Sequence, residues 1–415
     1  MSFTVVGGKL LMICLTLCIM FSCMKVYSQT AYITNQGDSS VSVVNVATNT
    51  VFATIPVGSQ PYGVTVSSDG NKVYVVNQNN SSVSVINTIT NTVSATIIVG
   101  GAPRGICVTP DGSKVYVANR NGNSVSVINT ATNTVSTTIS VGSGPWGVTV
   151  SPDGSNVYVT NIDVNTVTVI NSANNTVSTT IPVGLSPRGE SVSPDGTKLY
   201  VTNEGANTVS VINTSTNAVT ATITVGGNPY GVVVTPDGTK VYVVNEGDNT
   251  VSVISTATNA VTSTVSVGLH PYGVSVSPDG SKIYVTNSGV TTISVINTAT
   301  NTVSATVTVG AAPYAFGNFI SSHTSGISSL SNELTRIAIY PNPTSGIFSI
   351  SYHLSSINSL FQIEDITGRS VYTKNINGID GKETIDVSDL NNGIYYWELI
   401  NNNNISDKGK LVIMK

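Results

Sequence analysis

Hydrophobic and small polar residues alternate along most of the chain, in short segments bounded by Asn, Gly and Pro. Four segments follow one another: a Tyr-Val-x-Asn tetrad, a Ser-Val-Ser-Val-Ile-Asn segment, a Val-Ser-Ala-Thr-Ile segment ending in Val-Gly, and a Pro-x-Gly-Val segment ending in Pro-Asp-Gly. A period of two with many β-branched residues predicts strands, and no segment has a helical period. The pattern therefore predicts an all-β chain with turns at the Asn, Gly and Pro positions.

The four segments recur together at a fixed interval. The tetrads start every 42 residues, at Tyr32, Tyr74, Tyr116, Tyr158, Tyr200, Tyr242 and Tyr284. Four strands in a repeat of this length are typical of a propeller blade, so seven copies predict a seven-bladed β-propeller. The array starts on the second strand of a unit and ends with a lone first strand, Pro313–Ile320. This offset predicts a 3+1 strand closure of the first blade, whereas an open β-solenoid, the alternative, gives no reason for it.

The tetrads and the Pro-Asp-Gly turns resemble those of the YVTN-repeat β-propellers, which occur in surface-layer and other exported microbial proteins. The resemblance covers residues 29–320, where several segments recur in register. WD-repeat propellers share the architecture, but their Gly-His and Trp-Asp pairs are absent from this sequence. The resemblance implies an exported propeller.

A second module follows the repeats. Residues 321–334 are Ser-rich and are predicted to be a linker, and from residue 335 short strands without the repeat predict a small Ig-like β-sandwich. Tyr340–Gly346 (YPNPTSG), Asn391–Leu399 (NNGIYYWEL) and the terminal KLVIMK resemble the type A sorting domain of type IX secretion. That resemblance implies that residues 335–415 are recognised by the type IX machinery of Bacteroidetes-type bacteria. An ordinary Ig-like adhesion module is the alternative.

The first 28 residues are predicted to be a signal peptide. Lys9 precedes the apolar run Leu10–Ser22, which is short for a membrane span, and Val26 and Ser28 suit a signal-peptidase site. An uncleaved anchor and a lipoprotein modified at Cys23 are the alternatives. No second apolar span follows, so we expect no membrane span in the mature chain. Together with the tail, this predicts an extracellular or outer-surface location.

Charge is scarce throughout the sequence. Only 9% of the residues are charged and the net charge is −4, whereas an ordinary globular protein has about 25% charged residues. The balance excludes a basic footprint for nucleic acid. Cys107 is the single cysteine outside the predicted signal peptide, so no disulfide framework is expected in the mature chain.

The second residue of each Pro-x-Gly segment is the candidate binding site, because it is aromatic in five copies and Arg in two. Around the ring these residues are Tyr62, Arg104, Trp146, Arg188, Tyr230, Tyr272 and Tyr314. Aromatic and Arg side chains at a concave mouth are typical binding anchors. We expect a glycan or protein ligand to stack there, with the arginines holding a carboxylate. Alternatively, the rings cover the blade ends and the arginines pack by their stems.

Glu190 breaks the repeat near the predicted channel. The other six copies have apolar residues at its position: Val64, Ile106, Val148, Val232, Val274 and Phe316. A carboxylate there needs a partner. Arg188, two residues away, is predicted to lie on the same side of the strand and to pair with Glu190. A ligand-facing acid is the alternative, so Glu190 joins the candidate binding residues.

No motif for catalysis, metal binding or a cofactor was found in the sequence. A metal-dependent hydrolase would need several His, Asp or Glu residues near the axis, and Cys107 aligns with Thr and Ser in other copies. We therefore expect no catalytic or metal site and no cofactor. The prediction is a non-enzymatic binding, adhesion or surface-layer module. The alternative is a propeller enzyme, such as a lactonase or a quinone-cofactor dehydrogenase.

Overall fold

The computed structural model describes residues 29–321, 336–340, 344–353, 358–378, 380–401 and 404–415. The predicted signal peptide and residues 322–334 of the predicted linker lie outside the described residues. The chain divides into two compact units, Met1–Ile327 and Ser328–Lys415. In the described part of the chain, no helix is long and apolar enough to cross a membrane.

Antiparallel sheets of consecutive strands form the first four blades of the first unit. Their strands are β1 (Thr30–Asn35), β2 (Ser40–Asn45) and β3 (Thr50–Pro56) in blade 1; β4 (Pro61–Val66), β5 (Lys72–Asn77), β6 (Ser82–Asn87) and β7 (Thr92–Ile98) in blade 2; β8 (Pro103–Val108), β9 (Lys114–Asn119), β10 (Ser124–Asn129) and β11 (Thr134–Ser140) in blade 3; and β12 (Pro145–Val150), β13 (Asn156–Asn161), β14 (Thr166–Asn171) and β15 (Thr176–Pro182) in blade 4.

Blades 5 to 7 repeat the same order. Their strands are β16 (Pro187–Val192), β17 (Lys198–Asn203), β18 (Thr208–Asn213) and β19 (Ala218–Thr224) in blade 5; β20 (Pro229–Val234), β21 (Lys240–Asn245), β22 (Thr250–Ser255) and β23 (Ala260–Ser266) in blade 6; and β24 (Pro271–Val276), β25 (Lys282–Asn287), β26 (Thr292–Asn297) and β27 (Thr302–Thr308) in blade 7. Two single-turn 3-10 helices, Arg120–Gly122 and Glu204–Ala206, follow β9 and β17. The innermost strands of neighbouring blades contact each other around the ring. The predicted seven-bladed propeller is therefore confirmed.

Residues 313–321 close the ring as the innermost segment of blade 1. The amide of Tyr32 donates to the carbonyl of Phe319 at 2.8 Å. The amide of Tyr314 donates to the carbonyl of Thr34 at 2.9 Å. The last segment of the propeller thus pairs with the first strand, β1, which confirms the predicted 3+1 closure.

The Asn of each tetrad is buried beneath the Val-Gly turn that follows the outermost strand of the preceding unit. In blade 2, Asn77 Nδ2 donates to Ser82 Oγ at 3.1 Å and to Ser84 Oγ at 2.9 Å. A Cβ atom added at Gly58 would lie 2.5 Å from Asn77 Cγ. The turn therefore requires glycine at position 58. The Asn77 side chain, which links β5 to β6, fills the space that a Cβ atom would need.

The Asp and Lys residues around the Pro-Asp-Gly turns, and around the equivalent Ser-Asp-Gly turn of blade 2, have different partners. Asp69 accepts hydrogen bonds from Ser67 Oγ at 2.6 Å and from the amide of Asn71 at 3.1 Å. Lys72 Nζ instead donates to the carbonyl of Thr130 in the next blade at 3.0 Å. The carboxylates thus order their own turns, and the lysines link neighbouring blades.

The second unit is a small β-sandwich of two antiparallel sheets, β28-β29-β32 and β31-β30-β33-β34. Its strands are β28 (Arg336–Tyr340), β29 (Ile347–His353), β30 (Asn358–Glu364), β31 (Ser370–Asn377), β32 (Asp380–Asp386), β33 (Gly393–Asn401) and β34 (Asn404–Ile413). Phe348 and Ile350 from one sheet pack with Phe361 and Trp397 from the other in one apolar core. This arrangement confirms the predicted sandwich.

The glycine requirement can be tested with Gly58→Ala. We expect the free energy of unfolding to fall by about 1–3 kcal/mol, because the new methyl group displaces Asn77 from its buried hydrogen bonds. Gly101→Ala is the matched control, since its Cβ would meet nothing closer than Asn121 Cβ at 3.5 Å. The control should change the unfolding free energy by less than about 0.5 kcal/mol in urea titrations. Equal effects of the two substitutions would contradict the proposed packing.

Candidate functional site

The second residues of the six Pro-x-Gly segments and of Pro-Tyr-Ala in the last copy lie at one end of the ring axis, because each lies at the start of an innermost strand or segment. The segment before Pro-x-Gly contacts the loop after the tetrad, as in the hydrogen bond from the Gln78 amide to the Gln60 carbonyl (3.0 Å). We call the following seven residues the Arg/aromatic cluster: Tyr62, Arg104, Trp146, Arg188, Tyr230, Tyr272 and Tyr314. The structure brings together all seven residues that the sequence singled out at this position.

Aromatic rings from five blades contact one another across the axis. The centroid of Tyr62 lies 5.9 Å from that of Trp146, 5.6 Å from that of Tyr272 and 5.2 Å from that of Tyr314. The hydroxyl groups of Tyr62 and Tyr272 form a hydrogen bond. Tyr272 is also 4.3 Å from Tyr230 between ring centroids. The aromatic side chains therefore pack directly against one another and fill this end of the propeller axis.

Arginine side chains stack on these rings. The guanidinium of Arg104 lies 4.6 Å from the Tyr62 centroid and 4.5 Å from the Trp146 centroid. The guanidinium of Arg188 lies 4.0 Å from the Trp146 centroid. Arg120, which the sequence analysis did not include in the site, is 5.0 Å from the same ring. Three cations thus share one indole, and each contact of this kind is attractive.

The expected pairing of Arg188 with Glu190 is wrong. Arg188 Nη2 lies 2.5 Å from Glu204 Oε2, and Tyr230 OH donates to Glu204 Oε1 at 3.1 Å. The pairing of β16 with β17 has a register shift between Pro187 and Glu190. This irregularity interrupts the regular alternation of side chains along β16. Arg188 and Glu190, although two residues apart, therefore do not pair with each other. Arg188 reaches the loop after the tetrad, and Glu190 lies in the channel wall.

Burial differs among the members of the Arg/aromatic cluster. Tyr62, Trp146 and Tyr272 are 1%, 5% and 6% exposed, whereas Tyr230, Tyr314 and the two arginines of the cluster are half-buried. Burial raises the pKa of Tyr230 to about 12, so this phenol is neutral at physiological pH. The inner rings close the axis, and the half-buried residues form the surface available to a ligand.

The cluster has more positive than negative groups near its centre. Glu204 neutralises Arg188. Among the residues that the structure describes, neither Arg104 nor Arg120 has a carboxylate within ion-pair distance. The carboxylates of the surrounding loops have other partners: Asp38 and Asp248 accept backbone amides, and Asp163 accepts a serine hydroxyl. The guanidinium groups of Arg104 and Arg120 therefore have no carboxylate partner among the described residues, although the loops around them are mildly acidic.

The packed aromatic rings of the cluster form what we call the aromatic plug. A cavity of about 390 Å³ lies on the axis on the other side of this plug. It extends to Pro278 of a Pro-Asp-Gly turn, so it reaches the opposite face of the ring. Its polar lining residues are Thr65, Cys107, Thr149, Glu190, Ser191, Ser275 and Asn318. Apolar lining includes Ile106, Val148, Val232, Val274 and Phe316.

Glu190 is the carboxyl group of this cavity. Its Oε2 atom is shielded from solvent and has no hydrogen-bond partner. Burial raises the pKa of the Glu190 carboxyl well above its ordinary value, and the nearby Thr160 hydroxyl opposes that effect. The carboxyl lies against Gly147 of the neighbouring innermost strand, where any larger residue would collide with it. Burial also raises the pKa of the Cys107 thiol, so this group is protonated.

Within the described ranges, no group of three or more His, Cys, Asp or Glu residues is placed to hold a metal ion. The expectations of no catalytic residue, no metal and no cofactor stay predictions.

Family comparisons match both units. The model of the YNCE-like β-propellers matches residues 100–193 and 190–329. The model of the secretion system C-terminal sorting domain matches residues 338–414. These matches confirm the propeller of YVTN type and the type IX sorting tail. The tail indicates export to the cell surface or the extracellular space, and it implies interaction with the type IX machinery.

Solved structures show the same fold in other proteins. A chain of Kuenenia stuttgartiensis hydrazine synthase is 27% identical, with a TM-score of 0.61, over 65% of this chain and 92% of that chain. A functionally unknown protein from Desulfotomaculum acetoxidans is 17% identical, with a TM-score of 0.61, over 70% and 100%. Dihydro-heme d1 dehydrogenase NirN is 16% identical, with a TM-score of 0.53, over 88% and 76%. No curated protein matches the chain.

The fold defines an exported β-propeller with a C-terminal sorting domain. Because its family model covers more than half of the sequence, the chain belongs to the YNCE-like β-propeller family.

The unpartnered carboxyl leads to a stability prediction for Glu190→Val, which restores the residue type of the other copies. We expect the free energy of unfolding at about pH 8 to rise by about 1–3 kcal/mol, because a desolvated carboxylate is removed. The folded pKa of Glu190 is above that of the unfolded chain, which is about 4.3. Wild-type stability should therefore fall as pH rises from about 4.3 through the raised value.

Urea unfolding between about pH 4 and pH 8 checks this difference. The gain from Glu190→Val should shrink towards the acidic end, where the wild-type carboxyl is protonated. Glu190→Gln, which cannot titrate, should show the same loss of pH dependence. An unchanged pH slope in both variants would show that Glu190 is not buried without a partner.

Proposed function

We propose that this protein is an exported, non-enzymatic binding module whose Arg/aromatic cluster holds an acidic saccharide. The observation that carries the proposal is the pair of guanidinium groups, Arg104 and Arg120, that flank Trp146 without a carboxylate partner among the described residues. A guanidinium presents several N–H donors in one plane and therefore fits a carboxylate or sulfate in a bidentate manner. The export signals support a ligand outside the cell.

The half-buried tyrosines complete a saccharide site. Tyr230 and Tyr314 flank Tyr272, with centroid distances of 4.3 and 4.6 Å. Packed aromatic rings offer flat apolar surface at little cost in conformational entropy, and a sugar ring can stack on such a surface. The arginines would then select the acidic members of this ligand class.

An enzyme on the propeller scaffold is the second candidate function. Two of the similar structures carry enzyme names, hydrazine synthase and dihydro-heme d1 dehydrogenase. The axial cavity offers Glu190 and Cys107 to such chemistry. A surface-layer scaffold is the third candidate, and assembly of the purified protein into ordered sheets would favour it over a monomeric binder.

Binding to a glycan array tests the saccharide proposal with the double variant Arg104→Gln, Arg120→Gln. We expect binding of acidic glycans to weaken about 100-fold or more, because both arginines are lost and hydrogen bonds to charged groups each contribute about 1.5–3 kcal/mol. Arg369→Gln in the second unit is the control, since it makes the same kind of substitution, with loss of one positive charge, at an exposed side chain outside the cluster. Binding of acidic glycans that survives the double variant would refute the site. Binding confined to acidic peptides would refute the saccharide class.

Export can be tested by deleting residues 340–415. We expect the truncated protein to be retained inside the cell envelope, because it lacks the domain that the type IX machinery recognises. The full chain in the same strain, and in a strain with an inactive type IX translocon, provides the two reference points for cell fractionation and immunoblotting. Truncated protein on the surface or in the medium would contradict the proposed route.

A further inference from the structure

We propose that the axial cavity is a second binding site, in which Glu190 holds the ammonium group of a small alkylammonium ligand. This site is independent of the proposed function, since it lies on the far side of the aromatic plug and reaches the opposite face of the ring. Three features of the described residues support it: a buried carboxyl with one oxygen that lacks a hydrogen-bond partner, a departure from the repeat, and a cavity of suitable size and lining.

No donor from the protein serves Glu190 Oε2. Arg188, the nearest arginine in sequence, pairs with Glu204 at 2.5 Å. Thr160 Oγ1 has a single proton, which it donates to the carbonyl of Arg188 at 2.7 Å, and it accepts a hydrogen bond from the Gly147 amide at 2.8 Å. The one proton of the Thr160 hydroxyl is therefore engaged mainly by a backbone carbonyl. The Glu190 carboxyl lines the cavity, and an N–H donor bound there would supply a partner that the protein does not provide.

The fold does not require a carboxyl at this position. The six equivalent positions hold apolar side chains, and valine occupies four of them. A buried polar group without a partner costs stability. Departures from local packing rules that lack a structural compensation are expected at functional sites. A ligand that pairs with Glu190 would supply the missing compensation.

The cavity fits a small cation that has an apolar body. Its volume of about 390 Å³ falls within the range of about 300–1,000 Å³ typical of small-molecule sites. Thr149 and Ser191 line it with hydroxyl groups that can accept N–H bonds, while Val148, Val232 and Phe316 line it with apolar surface. An ammonium group suits a carboxylate with hydroxyl acceptors around it, and the apolar wall suits an alkyl chain.

Other ligand classes suit this lining less well. A bare divalent cation such as Ca²⁺ takes six to eight oxygen ligands, usually with several carboxylates, whereas Glu190 is the one carboxyl among the lining residues. An anion would disfavour ionisation of the Glu190 carboxyl and would be repelled by it once it is ionised. The charge and the apolar wall together favour an organic cation.

Isothermal titration calorimetry of the purified full chain with n-butylammonium chloride tests the site, with 1-butanol as a neutral ligand of the same length. We expect n-butylammonium to bind the wild type at millimolar concentration or below, and 1-butanol to bind at least about tenfold more weakly. Glu190→Gln and Glu190→Val should each weaken n-butylammonium binding by at least about tenfold, because a buried charge pair is lost. Glu246→Gln is the control, since Glu246 pairs with His270 on a loop outside the cavity.

Thermal unfolding curves verify that the Glu190 variants are folded. The proposal is overturned if the wild type does not bind n-butylammonium, if 1-butanol binds equally well, or if Glu190→Gln leaves binding unchanged.

Separate variants test the Arg/aromatic cluster and the axial cavity independently of each other. Glu190→Gln should retain acidic-glycan binding, and the double variant Arg104→Gln, Arg120→Gln should retain n-butylammonium binding. Loss of n-butylammonium binding in the double variant would overturn the assignment to the axial cavity.

Discussion

The close approach of neighbouring innermost strands determines both ends of the ring axis. A Cβ added at Gly105 would lie 2.6 Å from the carbonyl oxygen of Trp146, and one at Gly231 would lie 2.7 Å from that of Tyr272. Only glycine allows the backbones to come so near. The same proximity brings the large side chains beside each glycine into contact at one end and leaves a narrow cavity behind them. The plug and the cavity thus have one steric cause.

Much of the fold could be predicted because it depends on patterns local to the chain. Alternation of Val with Ser or Thr indicates strands, and the 42-residue interval counts the blades. The unpaired segment 313–321 indicates how the ring closes. The scarcity of charge follows from the same architecture, since stacked blades cover both faces of most strands and Ser or Thr replaces Lys or Glu there. Lysines remain where they reach a neighbouring blade, as Lys72 does.

The sequence predicts which residues form the candidate site, but not which of them contact one another. Equivalent positions in seven repeats must share one end of the ring, so the Arg/aromatic cluster was visible in the sequence. Its contacts depend on how far each side chain reaches across the axis, which no local pattern encodes. Arg188 pairs with Glu204 because a register shift and a single-turn helix decide its direction. Arg120 was missed because it lies in the single-turn helix after the tetrad, outside the Pro-x-Gly repeat.

Closure by the final segment of the propeller has a consequence for the making of the protein. Strand β1 lacks its inner neighbour until residues 313–321 have been synthesised, so the ring can be completed only when nearly the whole propeller is available. Contacts between such distant parts of a chain form late and slowly. The sorting tail follows this segment in the sequence, after the Ser-rich linker. A product that ends before residue 313 therefore lacks both the closing segment and the sorting domain. An incomplete propeller of this kind cannot be recognised by the type IX machinery.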